Sequence, residues 1–333
     1  IIVTGNNGAG KTSLLEAIHY LGTGRSFRTH INQRIINHKA NALHLHANVI
    51  KSNQLISLGI QRTEGGSKKA RVNGADTTPA TLAQHLPLQI INTTSHRFFH
   101  DGPKLRRQLL DWGVFHVKPS FLSIWKNFQR ILTQRNAAIR SRKPLYEIKN
   151  WNTPFCEYGE LLNQYRIEYL KHLEPVINKL LTELLPGMPN LTQQFTQGWN
   201  KNQSLSDLLD HSIHHDRQVG YTQSGPHRAD YQLIYGKTPV KDFLSQGQQK
   251  IAAYAIHCAQ GIVLSSQTDK QPIFLIDDLP SELDASKQKA VFSILSELGS
   301  QIFITTIDPI NIDSRLIKEA AMFHMEQGRI VPN

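Results

Sequence analysis

Cysteine is scarce in this sequence, with only Cys156 and Cys258 among 333 residues. Two cysteines exclude a disulfide scaffold and fit a reducing compartment, where thiols pack as small apolar groups. Long apolar runs are also missing. The longest uncharged apolar stretch, residues 251–268, contains a tyrosine, a histidine and two serines, and it therefore predicts a buried helix and not a membrane span.

Acidic residues are outnumbered by basic ones, 26 to 37, which gives a formal net charge of +11. Such a surplus attracts polyanions, nucleic acid before anionic membranes, and says nothing about the fold. Acidic residues are absent between Trp112 and Tyr146. The basic residues of this stretch that we predict to contact nucleic acid are Arg130, Arg135, Arg140, Arg142 and Lys143. Phosphate contacts of this kind give sequence-independent, salt-sensitive binding.

Two further basic clusters are candidates for the same role. The second cluster consists of Lys104, Arg106 and Arg107. The third, beside the Asn-Gly turn at 73–74, consists of Lys68, Lys69 and Arg71. The alternative for each cluster taken singly is a solvated basic face without a partner.

The apolar patterns predict an α/β protein with a helical insertion. Ile1–Val3 is a β-branched run followed by a glycine-rich turn and helical spacing, which is the opening of an α/β unit. Alternation with a period of two from Leu43 to Val72 predicts an antiparallel meander. Ile273–Ile276 and Ile302–Ile304 are continuous apolar runs, typical of parallel strands buried on both faces. We predict one α/β head formed by residues 1–111 and 221–333, with a mainly helical arm at 112–220.

The turn after the first strand matches the phosphate-binding pattern G-x-x-x-x-G-K-[ST] in full. Glycines let consecutive backbone N–H groups approach phosphate oxygens, and the following helix adds its positive end. We expect Lys11 to neutralise the outer phosphates of ATP during catalysis and Thr12 to ligate Mg²⁺. The candidate nucleotide-binding residues of this turn are Gly5, Asn6, Asn7, Gly8, Ala9, Gly10, Lys11, Thr12 and Ser13.

Two carboxylates, Asp277 and Asp278, follow the apolar run Ile273–Ile276. A carboxylate at the end of a buried strand beside a phosphate loop can hold Mg²⁺, and we predict this role for Asp277. Asp278 is then placed to orient or deprotonate the attacking water. The alternative is an ordinary helix N-cap.

A serine–glycine pair, Ser245 and Gly247, precedes the apolar helix predicted at 251–264. A hydroxyl, unhindered backbone N–H groups and a helix dipole together make a second anion site. Taken alone, this feature is also consistent with an N-cap.

These three features together resemble the RecF family of ABC-type ATPase heads, which is related to the SMC heads. The segments that carry the resemblance are Gly8–Thr29, Gly102–His116, Gln134–Arg140, Gly225–Asp230, Leu244–Lys250 and Ile276–Asp284. The resemblance implies a protein that dimerises on ATP, binds DNA in that state and hydrolyses ATP slowly. It also implies a cytoplasmic, nucleoid-associated protein that acts with RecO and RecR in loading RecA at single-strand gaps and duplex junctions.

In such heads the nucleotide lies between two protomers. The resemblance therefore implies that Ser245, Gln246 and Gly247 reach the partner protomer's γ-phosphate and that Asp284 lies in the loop across the dimer interface. Gln89 is the candidate for a metal- and water-sensing glutamine. The predicted strand Gln301–Thr306 ends without the switch histidine of transporter-type ATPases, so Thr305 or Thr306 would have to replace it. Relatives carry an antiparallel strand pair before the phosphate-loop strand, and we expect residues to precede Ile1 in the natural protein.

Two other classes share part of this pattern. A transporter ATPase subunit has the same loop and serine–glycine pair, but it has a much shorter insertion between them and normally the switch histidine. A P-loop kinase needs neither Ser245–Gly247 nor a dimer, so nucleotide-dependent dimerisation separates it from the ATPase head.

Overall fold

The computed structural model of the chain describes residues 1–29, 31–51, 53–188, 191–278, 285–308, 312, 317 and 320–331. The chain forms two compact units, one from residues 1–95 and 253–333 and the other from residues 96–252. We name them the α/β unit and the helical unit. The functional division at 111/112 and 220/221 stays a prediction.

The strands run in chain order through both units. They are β1 (Ile2–Thr4), β2 (Ala42–Lys51), β3 (Gln54–Thr63), β4 (Lys68–Val72), β5 (Ala75–Thr77), β6 (Leu88–Ile91), β7 (Thr192–Thr196), β8 (Asp230–Tyr235), β9 (Thr238–Pro239), β10 (Ile273–Asp277), β11 (Gln301–Thr305), β12 (Met322–Glu326) and β13 (Arg329–Val331). The α-helices are α1 (Lys11–Thr23), α2 (Pro79–His85), α3 (Pro103–Val117), α4 (Phe121–Arg140), α5 (Leu145–Lys149), α6 (Asn152–Leu184), α7 (Leu205–Val219), α8 (Gln246–Gln267) and α9 (Ala285–Glu297).

The main sheet of the α/β unit has the strand order β13-β12-β1-β11-β10-β6. All neighbours are parallel except the pair β12 and β13. Phe274, Leu275 and Ile276 of β10 are fully buried, as the continuous apolar run predicts. Because β11 lies between β1 and β10, the carboxyl ends of these three strands meet at one edge, where loops carry binding groups.

The predicted meander is the four-stranded antiparallel sheet β2-β3-β4-β5. Its alternating pattern sends one set of side chains inward, and the buried members Leu58 and Ile60 of β3 join a core with Leu15 and Leu21 of α1. This packing fixes the face of α1 and thereby the direction of the loop that precedes it.

The helical unit is organised around the long helices α4 and α6. Phe128 of α4 and Phe155 of α6 are fully buried, and their ring centroids lie 5.0 Å apart. The small sheet β7-β8-β9 belongs to the same unit. Residues 112–184 of the predicted arm are mainly helical, in α3 to α6.

Several elements of the structure were not predicted from the sequence, among them β7, α7, β12 and β13. Helix α7 does have a local signal, because its buried residues Leu205, Leu209 and Ile213 recur at helical spacing after the N-cap Ser204. The short strands β7 and β13 depend more on their partners in the sheets, since strand preference is decided largely by packing. Among the described residues, no helix combines the length and the apolar character needed to cross a membrane.

Candidate functional site

The turn between β1 and α1 depends on glycine at both ends. Gly5 has φ 144° and Gly10, the N-cap of α1, has φ 105°, values that favour glycine over residues with a Cβ. A Cβ at Gly5 would also collide with the carbonyl oxygen of Met325. The turn therefore opens α1 with its backbone N–H groups unobstructed, as anion binding requires.

Lys11 folds back over this turn. Its Nζ donates to the carbonyl oxygens of Gly5 at 2.6 Å and Asn6 at 3.0 Å. No carboxylate of the described residues lies within ion-pair distance of Lys11. The ammonium group is thus held by neutral carbonyls, which a phosphate oxygen can replace.

Asp277 ends β10 directly opposite Thr305, the last residue of β11. Its Oδ1 accepts hydrogen bonds from Thr12 Oγ1 at 3.0 Å and from Thr305 Oγ1 at 2.7 Å. The first hydroxyl of α1 and the strand-end carboxylate are thus brought together from positions far apart in the sequence.

Asp278 follows in a left-handed backbone conformation, with φ 60°, which is uncommon for a residue with a side chain. Its N–H donates to Thr305 Oγ1 at 3.0 Å. One threonine hydroxyl therefore fixes both the carboxylate of Asp277 and the backbone turn at Asp278. Thr306, the other candidate for the switch position, instead donates to the carbonyl oxygen of Asp308 at 3.0 Å.

These groups surround a cavity of about 360 Å³. It is lined by Asn7, Gly8, Ala9, Gly10, Lys11, Thr12, Ser13, Arg28, Asp277, Asp278, Thr305 and Ile307. Arg28, which sequence reasoning assigned to no role, is half-exposed and lies 3.5 Å from Glu16. Its signal in the sequence is its place in the segment Gly8–Thr29 that carries the family resemblance.

Gln89, the predicted metal-sensing residue, is not among the residues that line this cavity. It is buried in the middle of β6, opposite Phe274. Its Nε2 donates to Gln260 Oε1 at 3.1 Å, and its Oε1 accepts from His257 Nδ1 at 2.7 Å. Burial lowers the pKa of His257 to about 4, so this ring is neutral. The predicted metal contact of Gln89 gains no support from this placement and stays a prediction.

The start of α8 carries the predicted serine–glycine pair and Gln246 between them. Ser245, Gln246 and Gly247 are all exposed. Ser245 Oγ accepts from the Gln248 N–H at 3.3 Å, and Gln248 Oε1 accepts from the Ser245 N–H at 2.9 Å, a reciprocal helix cap. The cap uses the serine oxygen as an acceptor and leaves its proton available to donate. Asp284, the predicted interface residue, lies outside the described residues.

Two of the predicted DNA contacts are wrong. Arg106 is buried and bonds to both carboxylate oxygens of Asp230, at 2.6 and 3.0 Å. Arg135 is fully buried and donates to Asp216 Oδ2 at 2.8 Å and to Thr222 Oγ1 at 2.6 Å. A buried guanidinium with these partners belongs to the core and cannot reach a phosphate.

The other basic candidates differ in exposure. Arg107 is half-buried and donates to the carbonyl oxygen of Ala229 at 2.7 Å. Lys143 is exposed and lies 3.5 Å from Glu147, one helical turn on. The remaining exposed candidates are Lys104, Arg130, Arg140 and Arg142. These residues remain predicted phosphate contacts.

Three features together define the class of protein. They are a phosphate loop at the start of a helix, a carboxylate pair at the end of β10, and a serine–glycine pair at the tip of α8. The fold is that of an ABC-type P-loop ATPase head with an antiparallel meander and an inserted, mainly helical arm.

Comparison with known proteins identifies the family. Residues 1–330 match the model of the RecF/RecN/SMC N-terminal domain. The DNA replication and repair protein RecF of Coxiella burnetii (strain RSA 493 / Nine Mile phase I) is 45% identical over 327 residues, which cover 98% of this chain and 91% of the relative. RecF of Shewanella piezotolerans is 41% identical over 331 residues, 99% and 92% of the two chains. The chain therefore belongs to the RecF family of DNA replication and repair proteins.

Solved structures agree on the fold. The recombination mediator protein RecF-ATP of the RecFOR pathway matches 99% of this chain and 90% of its own, with a TM-score of 0.85 and 24% identity. An SMC head bound to the C-terminal winged-helix domain of ScpA matches with a TM-score of 0.57 and 15% identity, over 99% of this chain and 88% of its own. The predicted relationship to SMC heads is confirmed at the level of the fold.

Proposed function

We propose that this protein is an ATP-dependent DNA-binding protein of recombinational repair and replication. It dimerises on ATP, hydrolyses ATP slowly, and helps to load RecA at single-strand gaps and duplex junctions together with RecO and RecR. It acts in the cytoplasm, on the nucleoid. The observation that carries the proposal is the cavity that joins Lys11, Thr12, Asp277 and Asp278 in a member of the RecF family.

The cavity suits a triphosphate with Mg²⁺. Thr12 Oγ1 and Asp277 Oδ1 lie 3.0 Å apart on its wall, and both are hard oxygen ligands of the kind that Mg²⁺ takes. Among the described residues no group of three or more His, Cys, Asp or Glu side chains could hold a metal alone. Thr12 and Asp277 are the residues that would hold the ion. When bound, it would neutralise charge on the outer phosphates.

The chain's own residues supply the rest of the chemistry. Lys11 exchanges the carbonyls of Gly5 and Asn6 for phosphate oxygens, and the N–H groups at the start of α1 bind the same anion. Asp278 holds a water in line with the terminal phosphate and accepts its proton; as the water oxygen bonds to the terminal phosphorus, the bond from that phosphorus to the β-phosphate oxygen breaks and ADP leaves. Thr305 fixes the Asp277 carboxylate and the Asp278 backbone and offers no imidazole, which fits slow turnover.

The second half of each site comes from another copy of the chain. Ser245, Gln246 and Gly247 are exposed, and their hydroxyl, amide and backbone N–H donors are chemically suited to a γ-phosphate. ATP then joins two protomers through two equivalent sites, as a two-fold symmetric interface requires. DNA binds in this dimeric state through the exposed basic residues of the helical unit.

Sedimentation with and without ATP and Mg²⁺ tests this proposal. We expect ATP to convert the wild-type protein to a dimer. Ser245→Arg should remain a monomer that still binds nucleotide, because a bulky cation fills the space meant for the partner's phosphate. Ser206→Arg adds the same charge to an exposed serine of α7 and should dimerise like the wild type. Dimerisation of Ser245→Arg at wild-type ATP concentrations would overturn the proposal.

A further inference from the structure

Gln249 differs from the other glutamines at the tip of α8. Gln246 is exposed and Gln248 caps the helix, whereas Gln249 is only 4% exposed. Its amide group makes three hydrogen bonds within the helical unit. Nε2 donates to the carbonyl oxygens of Lys241 at 3.2 Å and Leu244 at 2.9 Å, while Oε1 lies 2.6 Å from His100 Nε2.

These partners fix the orientation of the amide. Two carbonyl oxygens can only accept, so the side of Gln249 that faces them must be the NH₂ group. The oxygen therefore faces His100, and His100 Nε2 must carry the proton that it donates. His100 lies just before α3, far from α8 in the sequence, and its hydrogen bond helps to hold the Gln249 amide in the orientation that the two carbonyl oxygens require.

The Leu244 carbonyl belongs to the same peptide unit as the Ser245 N–H. Gln249 holds the C=O end of this unit, and Gln248 Oε1 holds the N–H end at 2.9 Å. A peptide plane held at both ends cannot rotate, and its orientation sets the direction in which the Ser245 side chain leaves the backbone. Preorganised donors bind an anion more tightly because no ordering cost remains at the moment of binding.

We propose that Gln249, held by His100, is a positioning residue for the serine–glycine pair Ser245 and Gly247. It fixes the peptide unit before Ser245, so that the serine hydroxyl and the Gly247 N–H can bind the partner's triphosphate. The inference rests on the proposed ATP-dependent dimer. It assigns to two residues outside the Ser245–Gly247 motif a part in dimerisation, without contact to the nucleotide.

The decisive variant is Gln249→Met, which keeps the side chain's length and removes all three hydrogen bonds. Loss of buried hydrogen bonds of this kind weakens the dependent equilibrium by about 10-fold or more. We expect the ATP-dependent dimer to dissociate about 10-fold more readily, while the affinity of the monomer for a fluorescent ATP analogue stays unchanged. A purely structural role would lower the melting temperature and leave the dimer's dissociation constant unaltered, and that result would overturn the inference.

His100 provides a second test that leaves the core intact. His100→Phe keeps a ring but loses the Nε2 donor, and we expect a weaker dimer, by roughly 3-fold. His100→Gln restores a donor and should recover most of the loss. Gln218→Met, an exposed substitution on α7, is the matched control. If Gln249→Met fails to fold, the His100→Phe variant decides the question. A His100→Phe variant that dimerises as well as the wild type would overturn the inference.

Ser245→Arg, measured in parallel, separates the two levels of the proposal. Dimerisation that survives Ser245→Arg removes the proposed function itself. Dimerisation that is abolished in Ser245→Arg but is wild-type in Gln249→Met and His100→Phe removes only the positioning role.

Discussion

Lys11 of the α/β unit and three buried arginines of the helical unit differ in the groups to which they bond. In the α/β unit, Lys11 bonds to carbonyl oxygens of its own loop. In the helical unit, Arg106, Arg135 and Arg166 each lie within 2.8 Å of a carboxylate oxygen and are buried. Lys11 bonds only to neutral carbonyls among the described residues and is available to a ligand, whereas a buried arginine paired with a carboxylate holds the fold. The net charge of the chain does not distinguish cations that can bind a ligand from cations that stabilise the core.

The buried pair Arg135–Asp216 offers the largest test of this difference. Arg135→Met leaves the Asp216 carboxylate buried without its partner, and we expect the free energy of unfolding to fall by about 3–5 kcal/mol. The measurement is urea unfolding followed by circular dichroism. Lys126→Met, on the exposed face of the same helix, should change it by less than about 0.5 kcal/mol.

The double variant Arg135→Met/Asp216→Leu sharpens the same test. It removes both buried charges and should regain much of the lost stability. A single Arg135→Met variant as stable as the wild type would show that the pair does not hold the helical unit.

Thr305 in the α/β unit should give the next largest effect. Thr305→Val is nearly isosteric but loses the hydrogen bonds to Asp277 Oδ1 and to the Asp278 N–H. We expect ATP turnover to slow by about 10- to 100-fold with little change in ATP affinity, because the attacking water loses its fixed carboxylate. Steady-state phosphate release and titration with a fluorescent ATP analogue measure the two quantities separately.

Thr306→Val is the matched control for Thr305. Its hydroxyl bonds to the Asp308 carbonyl and not to the carboxylate pair, so turnover should change much less. Equal losses of ATP turnover in both variants would contradict the role of the Thr305 hydroxyl in fixing Asp277 and Asp278.

Substitution of the exposed arginines of the helical unit should give the smallest change in stability and in DNA affinity per residue. Arg130→Ala and Arg140→Ala remove charges that have no role in the core, so stability should stay within about 0.5 kcal/mol. Each variant that removes one phosphate contact should reduce the slope of log affinity for duplex DNA against log salt by about 0.9. Titrations at several salt concentrations measure this slope. An unaltered slope in both variants would remove this surface from the DNA interface.

Much of the phosphate site was predictable from the sequence. The loop, the carboxylate pair and the strands that carry them have local patterns, and the structure joins them in one cavity. The basic stretch at 112–146 misled the prediction at Arg135, which has the same sequence neighbourhood as the exposed Arg130 and Arg140. Its partners Asp216 and Thr222 are more than eighty positions away, and no local pattern announces them.

The phosphate loop and its strand follow from local sequence, because the required backbone angles and the helix start are properties of consecutive residues. The parallel strands follow as well, since runs without polar residues are typically buried on both faces. Other features arise only from the packing of distant segments: which arginines are buried in the core, the bonds of Thr305 to the Asp277 carboxylate and the Asp278 N–H, and the contact of His100 with Gln249. Each of these depends on groups that meet only after distant segments pack, where burial makes an unpaired charge or donor too unfavourable to leave alone.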